Sequence, residues 1–423
     1  MRPGADGEVI PEKAIVKTDI NVSIHETTSY PHRGICLEGS VINEHIINMI
    51  DWLPRVGMNT YFVQFIIPAD FYNRYFKDKN SPIREPVMFS DEDIAHMWRA
   101  CEEEILKRGL IYHAVGHGWT HMAFGVQTAT HDPNDPRLSD ELKGYFAEMD
   151  GKRALHKNGL NHTQLCYSKP AVRDAITDCI VKYCEENPSV DVLHFWLADG
   201  FNNHCECDEC QKLRPSDWYV MMLNSLDTKL AARGLNTKIA FLAYLDLLWE
   251  PEVHKIKNPN LFLLMFAPIT RTYSTALYDY DKNEKIEIPP FERNKLKFAK
   301  SVAVNAAQLA RWQNDFSGDG FVYDYHLMWD HFLDPGAMSC ARVLHQDMCE
   351  LEQFGLMGNI SCQQHRVAFP TGIATYAMAA GLWNKNSKFE DISREYHAAM
   401  FGEDGAAVEA YLSKISELLI PSL

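Results

Sequence analysis

Short runs of consecutive apolar residues alternate along this chain with longer stretches in which apolar residues recur every three or four positions. That alternation is the pattern of buried parallel strands joined by amphipathic helices. Eight runs qualify as strands, beginning near Gly34, Asn59, Leu110, Asp191, Lys238, Leu261, Gly320 and Leu356. Between the second and third, Ser90 and Asp93 form a capping-box-like helix start; Ile94, Met97, Cys101 and Ile105 share one face, and Lys107-Arg108-Gly109 closes the helix. Another helix follows Ser168-Lys169-Pro170, with Val172, Ile176, Cys179, Ile180 and Tyr183 as its stripe and proline in the first turn, where no backbone N–H is needed. Thr120 to Gln164 is polar and carries Gly, Pro and Asp, so it reads as a long functional or mobile loop after the third strand. Beyond Pro370 only helical spacing remains, as in Val408, Tyr411, Leu412, Ile415 and Leu418. The expected architecture is an α/β fold: a (β/α)8 TIM barrel over 31–370, a lead-in over 1–30, and C-terminal helices packed on the barrel over 371–423.

Composition narrows the function. At 46% hydrophobic and 23% charged, 423 residues can bury a large core, which excludes a disordered chain. A net charge of -16, with no basic block, would repel a phosphate backbone or an anionic membrane, so nucleic acid and membrane are excluded as partners. The first residues have no signal-peptide core and no run reaches about 18 apolar residues, so a cytoplasmic location is expected. Of the 11 cysteines, Cys101, Cys179 and Cys184 fall at helical core spacing, the usage of reduced thiols rather than of a disulfide framework.

In such a barrel the chemistry lies at the C-terminal ends of the strands. Strand one offers Glu38, with Arg33 at its start; strand three, His117 and Trp119; strand four, Asp199, Asn202 and Asn203. Strand five offers Tyr244 and Asp246, strand seven Asp324 and His326, strand eight Gln364, His365 and Arg366. Asp199 follows the apolar HFWLA run, where burial would raise its pKa and suit it to proton donation; it could equally cap its own loop. Glycoside chemistry needs a second carboxylate, and Asp324, Glu38 and Asp246 compete for that place, each also suited to an ion pair or a hydroxyl contact. Period-two alternation puts Asp324 and His326 on one face, expected to be the mouth. Arg33, His117, Trp119, Asn202, Asn203, Tyr244, His326 and His365 are the candidates to hold substrate, and Arg33, Arg271 or Arg366 could grip an acidic sugar. Trp119, Trp196, Tyr244, Trp249, Tyr325 and Trp329 either stack on sugar faces or pack the barrel.

Cys205, Cys207 and Cys210 lie close together on a polar loop, a spacing that suits a soft tetrahedral ion. Cys166 is expected as the fourth ligand, with His204 the local alternative. Four protein ligands make a closed, structural zinc site pinning the loop that carries Asn202 and Asn203 beside Asp199.

The order RGICLEGS, NTYFVQF, HAVGHGW, LCYSKPAV and HFWLADG resembles the barrel of family 20 glycoside hydrolases, the β-hexosaminidases. There an Arg-Gly opening strand one binds sugar hydroxyls and strand four ends in Asp-Glu; Arg33 and Asp199 match, and Gly200 stands at the Glu position. A closer resemblance, carried by LCYSKPAV, D-G-x-N-N-x-C-x-C-x-x-C and LWNKNSKFEDISREYHAAMFG, is to the bacterial family DUF4838, related to α-glucuronidase-like barrels. It implies a glycosidase-like barrel acting on carbohydrate. The expected activity is exo-acting glycoside hydrolysis, with Asp199 as general acid or essential carboxylate and Asp324 or Glu38 as its partner. Two alternatives stand beside it: a non-catalytic carbohydrate-binding barrel, motivated by Gly200, and a metal-dependent hydrolase using His117, His121 and His204.

Overall fold

The structure, a computed structural model, describes residues 23–38, 43–64, 82, 85–283, 285–364 and 369–419. Eight parallel strands close into a barrel: His32–Leu37, Thr60–Gln64, Ile111–Gly116, Val192–Phe195, Lys238–Ala243, Phe262–Phe266, Asp319–Asp324 and Gly358–Gln363. Each pairs with the next in sequence, and the first pairs with the eighth in a register that sets Cys36 beside Cys362 and Leu37 beside Gln363. All eight expected strands are present, because strands buried on both faces announce themselves as unbroken apolar runs.

The barrel interior is unusually aromatic and imidazole-rich. Phe62 stacks on His194 with ring centroids 3.9 Å apart, and Phe321 meets His113 and His194 at ring edges and His32 at a tilt. His113 Nδ1 lies 3.0 Å from His194 Nε2, so one ring donates to the other. Burial, first among the causes, holds His113 well below its ordinary pKa and brings His194 down to about 3; both are neutral at pH 7.

Outside the barrel, the helix Asp91–Lys107 begins on the expected capping box: Asp93 N–H donates to Ser90 Oγ and Ser90 N–H to Asp93 Oδ2, both at 3.1 Å. The helix Pro170–Glu186 buries Val172, Ile176 and Ile180. Residues 120–164 form no plain loop. They fold into the short helix Asp140–Tyr145, a hairpin of Glu148–Met149 and Lys152–Arg153, and a turn of 3-10 helix at Leu160–His162. After strand eight come three helices, Ile373–Trp383, Phe389–Phe401 and Gly405–Leu419. No helix among the described residues is long and apolar enough to cross a membrane.

Candidate active site

The C-terminal ends of the strands surround a cavity of about 520 Å³, counting solvent at its opening. Among the described residues, Glu38 and Asp199 are the only carboxylates that line it. Trp196, Tyr244, Tyr323, Tyr325 and Trp329 line its walls together with Leu242, Met265, Ile269 and Met328, with His117 and Gln64 between them.

Asp199 reaches the cavity because Gly200 turns the chain immediately after it. Gly200 has φ +91°, and a Cβ there would come within 3.1 Å of Asn203 Nδ2. A glutamate at that position would therefore meet both backbone strain and crowding. A second sharp turn serves His117. Val115, a β-branched residue, is held at φ +85°, and Gly116 at +99° lets the Trp196 ring approach to 3.1 Å of where a Cβ would sit.

His117 Nδ1 lies 2.8 Å from the Leu197 carbonyl, so Nδ1 carries a proton and Nε2 faces Asp199 Oδ1 at 3.9 Å. His162 Nε2 stands 3.5 Å from Asp199 Oδ2; the Tyr244 hydroxyl donates to Oδ1 at 3.3 Å and the Gly200 N–H at 2.7 Å. Burial pushes the Asp199 pKa up, as expected from the apolar run before it, but His117, His162, the Gly200 N–H and Tyr244 outweigh burial and leave it below the ordinary carboxylate range. The expected raised pKa is thus corrected: Asp199 is a standing anion, not a proton reservoir. Glu38 sits across the mouth, accepting the Cys362 thiol proton at 3.0 Å.

Several expected site residues lie elsewhere. Asp324 and His326 do share a face, but it is the outer one: Tyr323 and Tyr325 take the cavity side, and alternation turns Asp324 toward the helix Met338–Glu350. There His326 Nδ1 meets Asp324 at 2.6 Å, and Arg271 joins Asp347. Burial raises Asp324, but His326 and Arg271 more than offset it, and its pKa falls below normal. Asp324, His326 and Asp347 are close enough to hold an ion, yet Arg271 already supplies the cation. Removing one member strands buried charge, so Asp347→Ala is expected to cost about 3–5 kcal/mol. A urea midpoint lowered at unchanged m-value is the readout, and a loss below about 1 kcal/mol would mean the charges are solvated.

Arg33 is at the opposite, N-terminal end of strand one. It binds the backbone carbonyls of Gly57 and Tyr30 and lies over the Trp383 ring, so it cannot reach substrate. Trp119 is fully buried, its indole N–H on the His194 carbonyl at 2.9 Å. The Asn202 side chain clasps the Leu296 backbone, and Asn203 Nδ2 binds the His162 and Asp199 carbonyls; both shape the loop rather than line the cavity. Asp246 lies behind that loop, accepting the Asn202 N–H, and burial raises its pKa to about 7. His365 and Arg366 lie outside the described residues. His117, His121 and His204 do not converge: His121 binds Val126 and Asn161, and His204 packs against Asp246. His162 and Gln64, by contrast, carried no signal in the sequence. A residue inside a long irregular loop and one at a strand end without charge have no pattern to mark them.

Cys166, Cys205, Cys207 and Cys210 come together, their sulfurs all within 4.8 Å of one another. Cys166 Sγ is 3.6 Å from Cys207 Sγ and 3.8 Å from Cys210 Sγ. The Glu148 N–H and the Arg153 guanidinium donate to Cys205 Sγ at 3.3 and 3.7 Å, and Arg293 holds the Cys205 and Cys210 carbonyls. The cluster thus joins the segment four residues past His162 to the loop six residues past Asp199.

Among solved structures, the chain is similar to a GH20 β-N-acetylhexosaminidase from Streptomyces coelicolor A3(2), at 11% identity and TM-score 0.43 over 92% of this chain and 70% of that one. It is also similar to another β-N-acetylhexosaminidase, at 11% identity and TM-score 0.48 over 89% and 78%. A third is CpGH89 from Clostridium perfringens in complex with GlcNAc-α-1,4-galactose, at 10% identity and TM-score 0.48 over 91% and 40%. No curated protein matches the sequence. The family described as Domain of unknown function (DUF4838) matches residues 3–413, and the chain belongs to that family.

Proposed function

We propose that the chain is a glycoside hydrolase in which Asp199 is the standing carboxylate and Glu38 exchanges the proton with the glycosidic oxygen. The observation that carries this reading is the pair itself: two carboxylates, from the ends of strands one and four, facing one aromatic-walled cavity. Asp199, held ionised by His117, Tyr244 and the Gly200 N–H, is suited to oppose the positive charge that develops at an anomeric carbon. The aromatic faces offer sugar C–H patches a surface to stack on.

Assayed on a panel of aryl glycosides, Asp199→Asn is expected to lower kcat/KM about a thousandfold and Glu38→Gln by about 10²–10⁴-fold, least for the best leaving groups. Turnover kept within about tenfold in Asp199→Asn would remove the assignment. The second reading, a binding barrel, is favoured by Gly200 in place of a glutamate, and saccharide binding without turnover by the native chain would select it.

The four thiols are proposed to hold one structural zinc ion. Tetrahedral sulfur ligands at about 2.3 Å from zinc lie about 3.8 Å from each other, close to the separations from Cys166. Arg153 and Arg293 offset the charge of the thiolates, in the manner of outer-shell partners. The ion would take no part in bond cleavage; it would fix the contact between His162 and Asp199.

A further inference from the structure

We infer that Gln64 is a substrate-binding residue, its Nε2 donating to a sugar hydroxyl held beside Glu38. That the ligand is a sugar rests on the hydrolase reading above; that a hydrogen-bond acceptor belongs opposite Gln64 rests on the cavity alone. Gln64 ends strand two. Glu38 follows strand one on one side of it and His117 follows strand three on the other, and all three line the cavity.

The two ends of the amide are told apart by what surrounds them. Oε1 accepts from the Tyr323 hydroxyl at 3.4 Å and from the Cys36 thiol at 3.5 Å. Two donors converging on one atom mark it as the oxygen and turn the donor, Nε2, the other way. Gln64 is 3% exposed, yet Nε2 has no acceptor among the described residues. Nor is it sealed in: Asn359 Oδ1 and Gln363 Oε1 are fully enclosed without partners, whereas Gln64 Nε2 keeps a face on the cavity. A fixed donor in a cavity wall, without a protein acceptor and within a ligand's reach, is a place for a ligand oxygen.

The side chain is held before any ligand arrives. Beyond the two bonds to Oε1, it lies close over Gly116, where a Cβ would come within 3.2 Å of Gln64 Cγ. An amide pinned on both sides loses little freedom on binding. Its neighbours set the chemistry of the partner. The Tyr244 hydroxyl proton is spent on Asp199 and that of Tyr323 on Gln64, while Glu38 and Asp199 present carboxylate oxygens to the same cavity. A group that accepts from Gln64 and donates to a carboxylate is a hydroxyl. An anionic substituent would only accept, and would meet the standing charge of Asp199.

The test is a binding cycle between Gln64 and the sugar. Methyl glycosides of glucose, galactose, mannose and xylose, each with its monodeoxy derivatives, are titrated calorimetrically into the native chain, Gln64→Met and Gln64→Glu. Gln64→Met removes both ends of the amide, whereas Gln64→Glu keeps the acceptor that Tyr323 and Cys36 use and removes the donor. In the native chain, loss of one hydroxyl from the tightest-binding sugar is expected to cost about tenfold in affinity. In both variants the parent sugar is expected to bind about tenfold more weakly, and loss of that same hydroxyl to cost less than about twofold further. A role confined to packing would weaken every derivative alike and leave the deoxy penalty intact in each variant, which overturns the inference. So does parent affinity within about twofold of native in both variants, or no binding of any of these sugars to the native chain at millimolar concentration. Coupling in a chain that turns over no glycoside removes the hydrolase reading and leaves this inference standing. Turnover without coupling removes this inference alone.

Discussion

Serine in place of Cys166 is expected to lower the zinc content from one ion per chain to none, to drop the thermal midpoint by on the order of 10 °C, and to impair hydrolysis together with stability. The magnitude follows from what one ion holds. Structural zinc contributes on the order of 10 kcal/mol in small domains; a barrel of this size is expected to survive loss of the ion, with the damage falling on the two segments that the cysteines bring together. Cys166 closes the stretch that presents His162, and Cys205 to Cys210 close the one that presents Asp199. Metal analysis and a melting curve check the first two claims. Cys179→Ser, at a half-buried thiol outside the cluster, is the control expected to change neither. Full zinc occupancy in Cys166→Ser would show that Cys166 is not a ligand.

Acid should unfold the protein well above the pH at which its carboxylates are neutralised. His113, His194, His204 and His345 are buried and neutral in the fold, with burial the leading cause; His194 and His204 fall to about 3 and His345 to about 4. In the unfolded chain each takes a proton near pH 6.5. Below that pH the unfolded state binds protons the folded state refuses, so stability is complete above 6.5 and is lost as pH falls toward 4. Each histidine contributes about 1.4 kcal/mol per pH unit in that window. Asp246 runs the other way: raised to about 7, it keeps its proton in the fold and cancels about one histidine. What remains is on the order of 4 kcal/mol per unit, enough over two units to consume much of a typical net stability. Urea titrations at pH 7, 6 and 5 measure the slope directly. A flat profile would mean that the barrel histidines are protonated in place.

The barrel was legible because most of its strands are buried and apolar on both faces, but the same property hid which face is which. At strand seven, Tyr323 and Tyr325 or Asp324 and His326 could equally have pointed inward; only the partners Arg271 and Asp347, distant in sequence, decide it. Arg33 was misplaced for a different reason. A residue at the start of a strand is at the opposite end of the barrel from its last residue, whatever its chemistry. Asp199, Glu38, His117 and Tyr244 were readable because a polar residue ending an apolar run on a barrel strand has one place to go. His162 was not, because the order of residues 120–164 comes from tertiary anchors, such as Asn161 O accepting the Asp199 N–H at 2.8 Å and the cysteine cluster. Cys205, Cys207 and Cys210 were found by their spacing on a polar loop, and Cys166 by its place before the helix that leads into strand four.

The pairing of the first strand with the eighth has a consequence for how the molecule is made. Glu38 N–H donates to the Gln363 carbonyl and its carboxylate accepts from Cys362, so the residue delivered first by the ribosome is oriented by one delivered more than 300 residues later. Until then strand one keeps an open edge that invites pairing with another chain. A nascent chain halted before strand eight would already hold Asp199 in place but not Glu38. The Glu38 carboxylate is oriented only by the last strand, so its place at the mouth reports a completed ring.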